Sequence, residues 1–290
     1  MIHVPVEHQY LHLVNRVLTE GVCTTNRTGV DALEVHGAYL TADLAAGAPV
    51  LTTKRVAWMS AYAEMIGFMQ GLDNAADFRK LGCQVWNANA NDNREWLSNE
   101  HRKGPDDLGR VYGVQWRNWR TQYGTAIDQL RRVVDSLSAG TGSRREIVTA
   151  WNPAELHLMS LPPCHMMMQF GAIGDMLDMS VYIRSNDLGL GAPFNLAQYG
   201  MLLQLMAQIT GHVPGTLHYF AFDAHVYENH IEALEEQLNR LPLLPPQLII
   251  DDRIKTLDDI GDLRTAEDIA QAFSLQGYSP HPAIKMEMAV

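Results

Sequence analysis

Residues 166–183 read MMMQFGAIGDMLDMSVYI, and this stretch decides the fold. Two apolar-rich arms flank Gly171 and Gly174-Asp175, a pattern that predicts a β-hairpin turning at those glycines. In the second arm Met179, Val181 and Ile183 point one way, and Ser180, Tyr182 and Arg184 the other. Leu161-Pro162-Pro163-Cys164-His165 leads into the hairpin. Arg184-Ser185-Asn186-Asp187 ends it, and Gly191-Ala192-Pro193-Phe194-Asn195 follows. A thiol, an Arg-Ser pair suited to an anion, an acid and an apolar-flanked Asn thus fall within about thirty residues. Together they are parts for covalent chemistry on a phosphorylated base. A free cysteine is usually just core; its neighbours make Cys164 a candidate nucleophile.

Working outward, residues 7–20 predict an amphipathic helix with a stripe of Tyr10, Leu11, Leu13, Val14, Val17 and Leu18, ended by Gly21. Residues 31–40 predict a strand-pair element. Residues 60–70 predict a buried helix closed by Gly71, and residues 127–137 a second amphipathic helix. Residues 194–209 predict a largely apolar helix ended by Gly211. Residues 248–250 predict a short strand and residues 266–273 a last short helix. Helices and hairpins occur without regular βαβ alternation, so the expected class is α+β rather than a doubly wound sheet.

The chain has 290 residues, 47% apolar and 19% charged, enough for a large core in one or two domains. No apolar run approaches the length of a membrane span. The first residues lack a basic region followed by an apolar stretch, so no signal peptide is expected. Cys23, Cys83 and Cys164 have no paired spacing, which argues against a structural metal or a disulfide framework and for a reducing cytoplasm. A net charge of −11 argues against a nucleic-acid partner. It leaves room for a small phosphate ligand held by local arginines, of which Arg27, Arg144, Arg145 and Arg184 are the candidates.

Ordered motifs extend the pattern along the chain. They are Arg27-Thr28-Gly29, Leu51-Thr52-Thr53-Lys54-Arg55, Phe68-Met69-Gln70-Gly71, Tyr112-Gly113-Val114-Gln115-Trp116-Arg117 and Ser143-Arg144-Arg145. Further on come Ala150-Trp151-Asn152, Pro163-Cys164-His165, Arg184-Ser185-Asn186-Asp187, Pro193-Phe194-Asn195 and Asp223-Ala224-His225-Val226-Tyr227. These residues closely resemble the thymidylate synthase and pyrimidine nucleotide hydroxymethylase family, nearly end to end. The resemblance implies one catalytic domain over residues 1–290, an α+β fold and a homodimer with large sheets packed face to face. It implies one-carbon transfer from 5,10-methylene-tetrahydrofolate to C5 of dUMP, with no metal, no nucleic acid and no membrane partner.

By that resemblance Cys164 adds to C6 of the base, and nearby arginines would favour its thiolate. Glu64 would be the general acid and base, although a helix-surface Glu is the plainer alternative. Tyr112 and His165 would line the pocket, with Asn195 and Asp187 completing the catalytic set. Arg27, Arg184 and Ser185 would hold the phosphate, with Arg144 and Arg145 donated from the other subunit. His225 and Tyr227 would bond the sugar hydroxyl from one side of a short strand. Asn195 would read uracil, accepting from N3–H and donating to O4, though its place also suits a helix N-cap. Lys54, Trp86, Leu161, Asp187, Gly191, Phe194 and the tail Met288-Ala289-Val290 would form the folate side.

Four positions depart from the synthase pattern. Ile183 replaces Gln, Phe222 replaces Gly, Arg110 replaces Pro, and Asn87 replaces the Asp after the folate tryptophan. An apolar residue before Arg-Ser-Asn-Asp is more like phage nucleotide hydroxymethylases. The nucleotide-holding residues are intact, while these four are expected in the pocket around them. The expectation is therefore a dUMP 5-hydroxymethylase, in which water captures the one-carbon intermediate and tetrahydrofolate leaves unoxidised. A true synthase making dTMP and dihydrofolate is the alternative. A non-catalytic nucleotide sensor and a cysteine hydrolase are weaker ones, since a sensor needs neither Cys164 nor Glu64.

Overall fold

The computed structural model describes residues 4–26 and 29–287. In chain order its elements begin with α1 (Val6–Glu20), β1 (Val22–Thr24), β2 (Ala32–Asp43), α2 (Trp58–Gln70), α3 (Ala75–Lys80), α4 (Asn87–Asn91) and α5 (Arg94–Leu97). Next are α6 (Tyr112–Arg117), β3 (Trp119–Arg120), β4 (Ala126–Ile127), α7 (Gln129–Ser138), β5 (Ile147–Thr149), β6 (His165–Ile173) and β7 (Met176–Asp187). The chain closes with α8 (Gly191–Thr210), β8 (Val213–Tyr227), α9 (Ile231–Leu238), β9 (Gln247–Ile250), α10 (Ala266–Ala272) and β10 (Phe273–Gln276).

Among the described residues the main sheet has six strands in the order β1-β2-β8-β7-β6-β5. Neighbours are antiparallel except β7 and β8, which run parallel. That pair needs a crossover, and α8 supplies it. The sheet is therefore mixed, and the α+β class holds with one βαβ unit inside it.

The hairpin forms as the alternation requires. Met179, Val181 and Ile183 of β7 are buried under α8, while Tyr182 faces outward. Gly174 takes a left-handed φ of 64° at the turn. Gly171 is not part of the turn; it lies within β6, opposite Asp178. Helix α2 is buried along almost its whole length and stops at Gly71, whose φ of 77° allows the closing bonds to Gly67 O and Phe68 O. Helix α8 ends in the same way at Gly211, φ 75°.

Three expectations need adjustment. Residues 31–40 form part of a single long strand, β2, paired with β1 and β8. Phe273 begins β10 rather than ending α10. The His225-Tyr227 stretch is the end of a fifteen-residue strand, β8, at the centre of the sheet.

Two features aim the site. The register of β6 against β7 shifts between His165 and Met167, so a bulge follows Cys164 immediately. Bulges bend a strand and re-aim its side chains. Buried Glu7 of α1 accepts from Thr52 N (2.8 Å) and Thr53 N (2.7 Å), which pins the loop that carries Lys54.

Candidate active site

Pairing in the sheet brings the distant motifs together. Arg184 N donates to Cys164 O at 2.9 Å across β6 and β7. The parallel β7–β8 register sets Ser185 opposite Asp223 and Asp187 opposite His225. Cys164, Leu161, Arg184, Ser185, Asp187, His225 and Tyr227 line one cavity of about 260 Å³, with Asn26, Ala32, Glu34 and Asp223.

Arg184 is fixed before any ligand arrives. Its Nε donates to Pro163 O (3.0 Å) and its Nη2 to Pro162 O (3.1 Å). The guanidinium also sits 5.5 Å from the ring centroid of Trp151. A guanidinium has five N–H donors, so others stay available to an anion. Ser185 Oγ donates to Asp223 Oδ2 (3.0 Å), and His225 Nδ1 lies 3.2 Å from Asp223 Oδ1. Burial would raise the Asp223 carboxyl, but His225 and Ser185 hold it below its ordinary value. Sequence reasoning assigns Asp223 no role; the signal for it is its place two residues before His225 on one strand.

Behind the cavity lies a chain of buried polar groups. Tyr219 donates its hydroxyl to Asn186 Oδ1 (2.7 Å), and Asn186 Nδ2 donates to Asn195 Oδ1 (3.0 Å). Asn195 Nδ2 donates to Gln198 Oε1 (3.1 Å), and Gln198 Nε2 donates to the Glu64 carboxylate. Each carboxamide is oriented by its neighbours. Asn195 sits inside α8, whose N-cap is Leu190, so it is not a helix cap. Gln198 and Asn186 were not singled out from sequence. The signal for Gln198 was its i+3 spacing from Asn195 on α8.

Glu64 is buried on α2, not a surface residue. Burial raises its carboxyl from 4.5 to about 7, opposed by the Gln198 hydrogen bond. Tyr112 accepts from Cys164 N at 2.8 Å through its hydroxyl. Its ring stacks on Phe68 (4.8 Å) and meets Trp86 and His165 edge-on at 5.6 and 5.4 Å. Burial lowers His165 to about 4, despite a hydrogen bond with Asn195, so its ring is neutral near pH 7.

Several of the residues expected on the folate side lie about Asp187 and Gly189. Lys54 is buried and donates to Gly189 O. Burial lowers it to about 8, against the attraction of Asp187. Asp187 accepts from Gly189 N (2.7 Å) and Leu190 N (3.2 Å), and His230 lies 3.7 Å from it. Burial would raise the Asp187 carboxyl, yet His230 keeps it below its ordinary value. Trp86 is buried, Phe194 and Leu161 are half-buried, and Gly191 opens α8.

Other expected residues are elsewhere. Arg144 and Arg145 are exposed and line separate cavities, not the one beside Cys164. Arg27, Met288, Ala289 and Val290 lie outside the described residues. None of the four departing residues lines the Cys164 cavity. Ile183 is wholly buried beneath the sheet, and Phe222 stacks on His36 at 4.6 Å on the outer face. Asn87 accepts from Arg79, and Arg110 pairs with Glu155. Among the described residues no group of three or more His, Cys, Asp or Glu is placed to hold a metal ion. No helix there is long and apolar enough to cross a membrane.

The family model described as thymidylate synthase matches residues 8–290. A thymidylate synthase of Pseudomonas syringae pv. tomato is 43% identical, covering 97% of this chain and 99% of the relative. That of Shewanella halifaxensis is 46% identical with the same coverage. That of Bordetella parapertussis is 42% identical, again with 97% and 99% covered. By class the protein is an enzyme, a one-carbon transferase acting at C5 of a pyrimidine. The chain belongs to the thymidylate synthase family. The hydroxymethylase expectation finds no support in these relatives; the synthase alternative fits them better.

The Glu64 environment has a measurable consequence. Its folded-state value, about 7, lies above the ordinary 4.5. The folded protein therefore holds this proton more tightly than the unfolded chain does. That stabilisation is complete below pH 4.5 and is lost as pH rises through about 7. In denaturant unfolding, the stability of the parent relative to Glu64→Gln should fall by about 2 to 3 kcal/mol between pH 5 and pH 8. A pH-independent difference would show that Glu64 titrates normally.

Proposed function

We propose that the chain is a thymidylate synthase in activity: dUMP and 5,10-methylene-tetrahydrofolate give dTMP and dihydrofolate. One observation carries this reading. Cys164 opens into the same cavity as Arg184, Ser185, His225 and Tyr227, a thiol beside groups suited to a phosphate and a sugar. Methyl rather than hydroxymethyl transfer is supported by the relatives cited above, which are named thymidylate synthase.

C5 of uracil is a poor nucleophile. Addition of the Cys164 thiolate to C6 breaks the C5–C6 double bond and makes C5 an enolate carbon. Asn195 would hold N3–H and O4 with its carboxamide oxygen and N–H. A base with the opposite pattern would leave a buried polar group unpaired, at a cost of about 1–3 kcal/mol. With a value of about 7, Glu64 can hold or release a proton near neutral pH. It is thus suited to serve the carbonyl of the base and the departing C5 proton. Loss of that proton and expulsion of Cys164 restore the ring.

The folate-side residues fit a pterin. Asp187 presents a carboxylate to a donor edge, and Trp86, Leu161 and Phe194 offer apolar surface. Lys54 would attract the anionic tail of the folate. The folate supplies the methylene carbon and the hydride that makes it a methyl group. Met288 and Ala289 belong to the same proposed set.

A homodimer completes the site in this proposal. Tyr39, Phe220, Tyr182 and Met167 lie side by side across β2, β8, β7 and β6 and are 50, 40, 38 and 43% exposed. Such a row of large apolar groups on a sheet face suits a protein interface. Arg144 and Arg145, exposed away from the cavity of their own chain, would then serve the phosphate of the partner, alongside Arg27, Arg184 and Ser185. Cys23, Cys83 and Cys164 form no disulfide with one another, which suits the reducing cytoplasm.

Incubation with dUMP and 5,10-methylene-tetrahydrofolate should yield dTMP and dihydrofolate in equal amounts by nucleotide mass and absorbance. A product heavier by CH2O, with tetrahydrofolate released, would restore the hydroxymethylase. Sedimentation should give a dimer. Mixing inactive Cys164→Ser with inactive Arg144→Ala/Arg145→Ala subunits should recover part of the activity. A fully active monomer would end the shared-site proposal.

A further inference from the structure

Arg110 is a departing residue whose interactions lead back to the site. It is 7% exposed and its Nε donates to Glu155 Oε2 at 2.5 Å. Its Nη2 donates to Asn118 O at 2.6 Å. Gln115, wholly buried, donates from one Nε2 to both Arg110 O (3.0 Å) and Glu155 Oε2 (2.8 Å). Asn152 donates to Gln115 Oε1 at 3.2 Å, and Arg120 lies 3.6 Å from Glu155 Oε1. Burial would raise the Glu155 carboxyl, but Arg110 and Gln115 hold it below its ordinary value.

This cluster joins two segments that meet at the nucleophile. Arg110 stands two residues before Tyr112, and Glu155 nine residues before Cys164. The segments are also tied through their backbones: Arg110 N donates to Leu158 O and Ser160 N to Leu108 O, both at 2.9 Å. Tyr112 itself is strained. It has a φ of +23°, which L side chains rarely adopt. Strain of this kind persists only where its surroundings over-determine it. A Cβ at Gly113 would meet Phe68 O at 2.1 Å, so α6 lies directly on the backbone of α2. Arg110, two residues before Tyr112, enters the turn already tied to Glu155. The hydroxyl held by this turn is the one that accepts from Cys164 N.

We propose that Arg110 and Glu155 are a positioning pair: their buried ion pair locks the strained Tyr112 turn to the segment leading into Cys164, so that the Tyr112 hydroxyl holds the Cys164 backbone for attack. The proposal rests on the assignment of Cys164 as nucleophile. Neither side chain lines the cavity, so both act through Tyr112. A merely structural ion pair could be replaced by neutral groups without loss of function, because removing both charges leaves none buried and unpaired. A positioning pair could not, since displacement of a reacting group by about 1 Å costs about a hundredfold in rate.

The test compares the parent with Arg110→Met/Glu155→Gln, Arg110→Lys and Tyr112→Phe. Melting temperature, amide hydrogen exchange at Cys164 by NMR, and kcat and KM for dUMP are measured for each. In the double variant the fold should persist while the Cys164 amide exchanges about tenfold faster, as in Tyr112→Phe. Its kcat should fall about tenfold to a hundredfold, with KM changed less than about threefold. Lysine cannot span the Glu155 carboxylate and the Asn118 carbonyl as the guanidinium fork does. Arg110→Lys should therefore show the same changes more weakly, and it supplies the comparison if the double variant does not fold. Exchange and kcat within twofold of the parent would overturn the proposal, as would faster exchange with unchanged kcat. If the parent leaves dUMP untouched, the functional assignment fails instead. Exchange then decides alone: unchanged protection of the Cys164 amide overturns the coupling, and faster exchange upholds it.

Discussion

The 2.9 Å hydrogen bond from Arg184 N to Cys164 O joins the strands on which the rest of the site is built. It belongs to an antiparallel pair whose second strand, β7, is also the parallel neighbour of β8. Thiol, Arg-Ser pair, acid and His-Tyr pair therefore share one edge of three adjacent strands. Strand pairing has a strict period of two, so a slip of one residue would turn Ser185 away from Asp223 and expose Val181 and Ile183. The buried side of β7 prevents that slip. Core packing and site geometry are thus one constraint.

The second constraint is polar. The chain from Tyr219 through Asn186, Asn195 and Gln198 to Glu64 passes through buried ground. Buried networks of this kind rigidify when every member is paired and are costly when one is not. Here they orient the amide proposed to read the base and link it to the carboxyl proposed to move its protons. Local strain enters at Tyr112, whose left-handed backbone stands where α6 packs on the backbone of α2. A conformation uncommon for tyrosine stands where the structure needs one hydroxyl against one N–H.

Much of this was legible in the sequence because it is local. The alternation of residues 176–183 identified β7, and the apolar runs ended by glycine identified α2 and α8. The cavity residues from Leu161 to Asp187 are close in sequence, and the order of motifs pointed to the family. Only the end of β8, residues 225–227, is legible as strand, because the strand begins Val213-Pro214-Gly215, which reads as a turn. Its interior position between β2 and β7 also spoils a simple alternation. The bulge after Cys164 and the amide chain depend on tertiary register, for which single residues carry no signal. The four departures misled for a related reason. Neighbourhood in sequence was taken for neighbourhood in space, yet Ile183 faces the core, Phe222 the outer sheet face, Asn87 an arginine and Arg110 a buried acid.

Cys164 as the nucleophile is the claim on which the chemistry turns, and covalency can be read directly. Enzyme turning over dUMP with 5,10-methylene-tetrahydrofolate can be quenched in denaturant, digested and mapped by peptide mass. The peptide bearing Cys164 should carry the mass of the nucleotide, while those bearing Cys23 and Cys83 stay unmodified. An unmodified Cys164 peptide from enzyme in active turnover, with stabilised adducts sought under the same quench, or an increment on Cys23 or Cys83 alone, would contradict it.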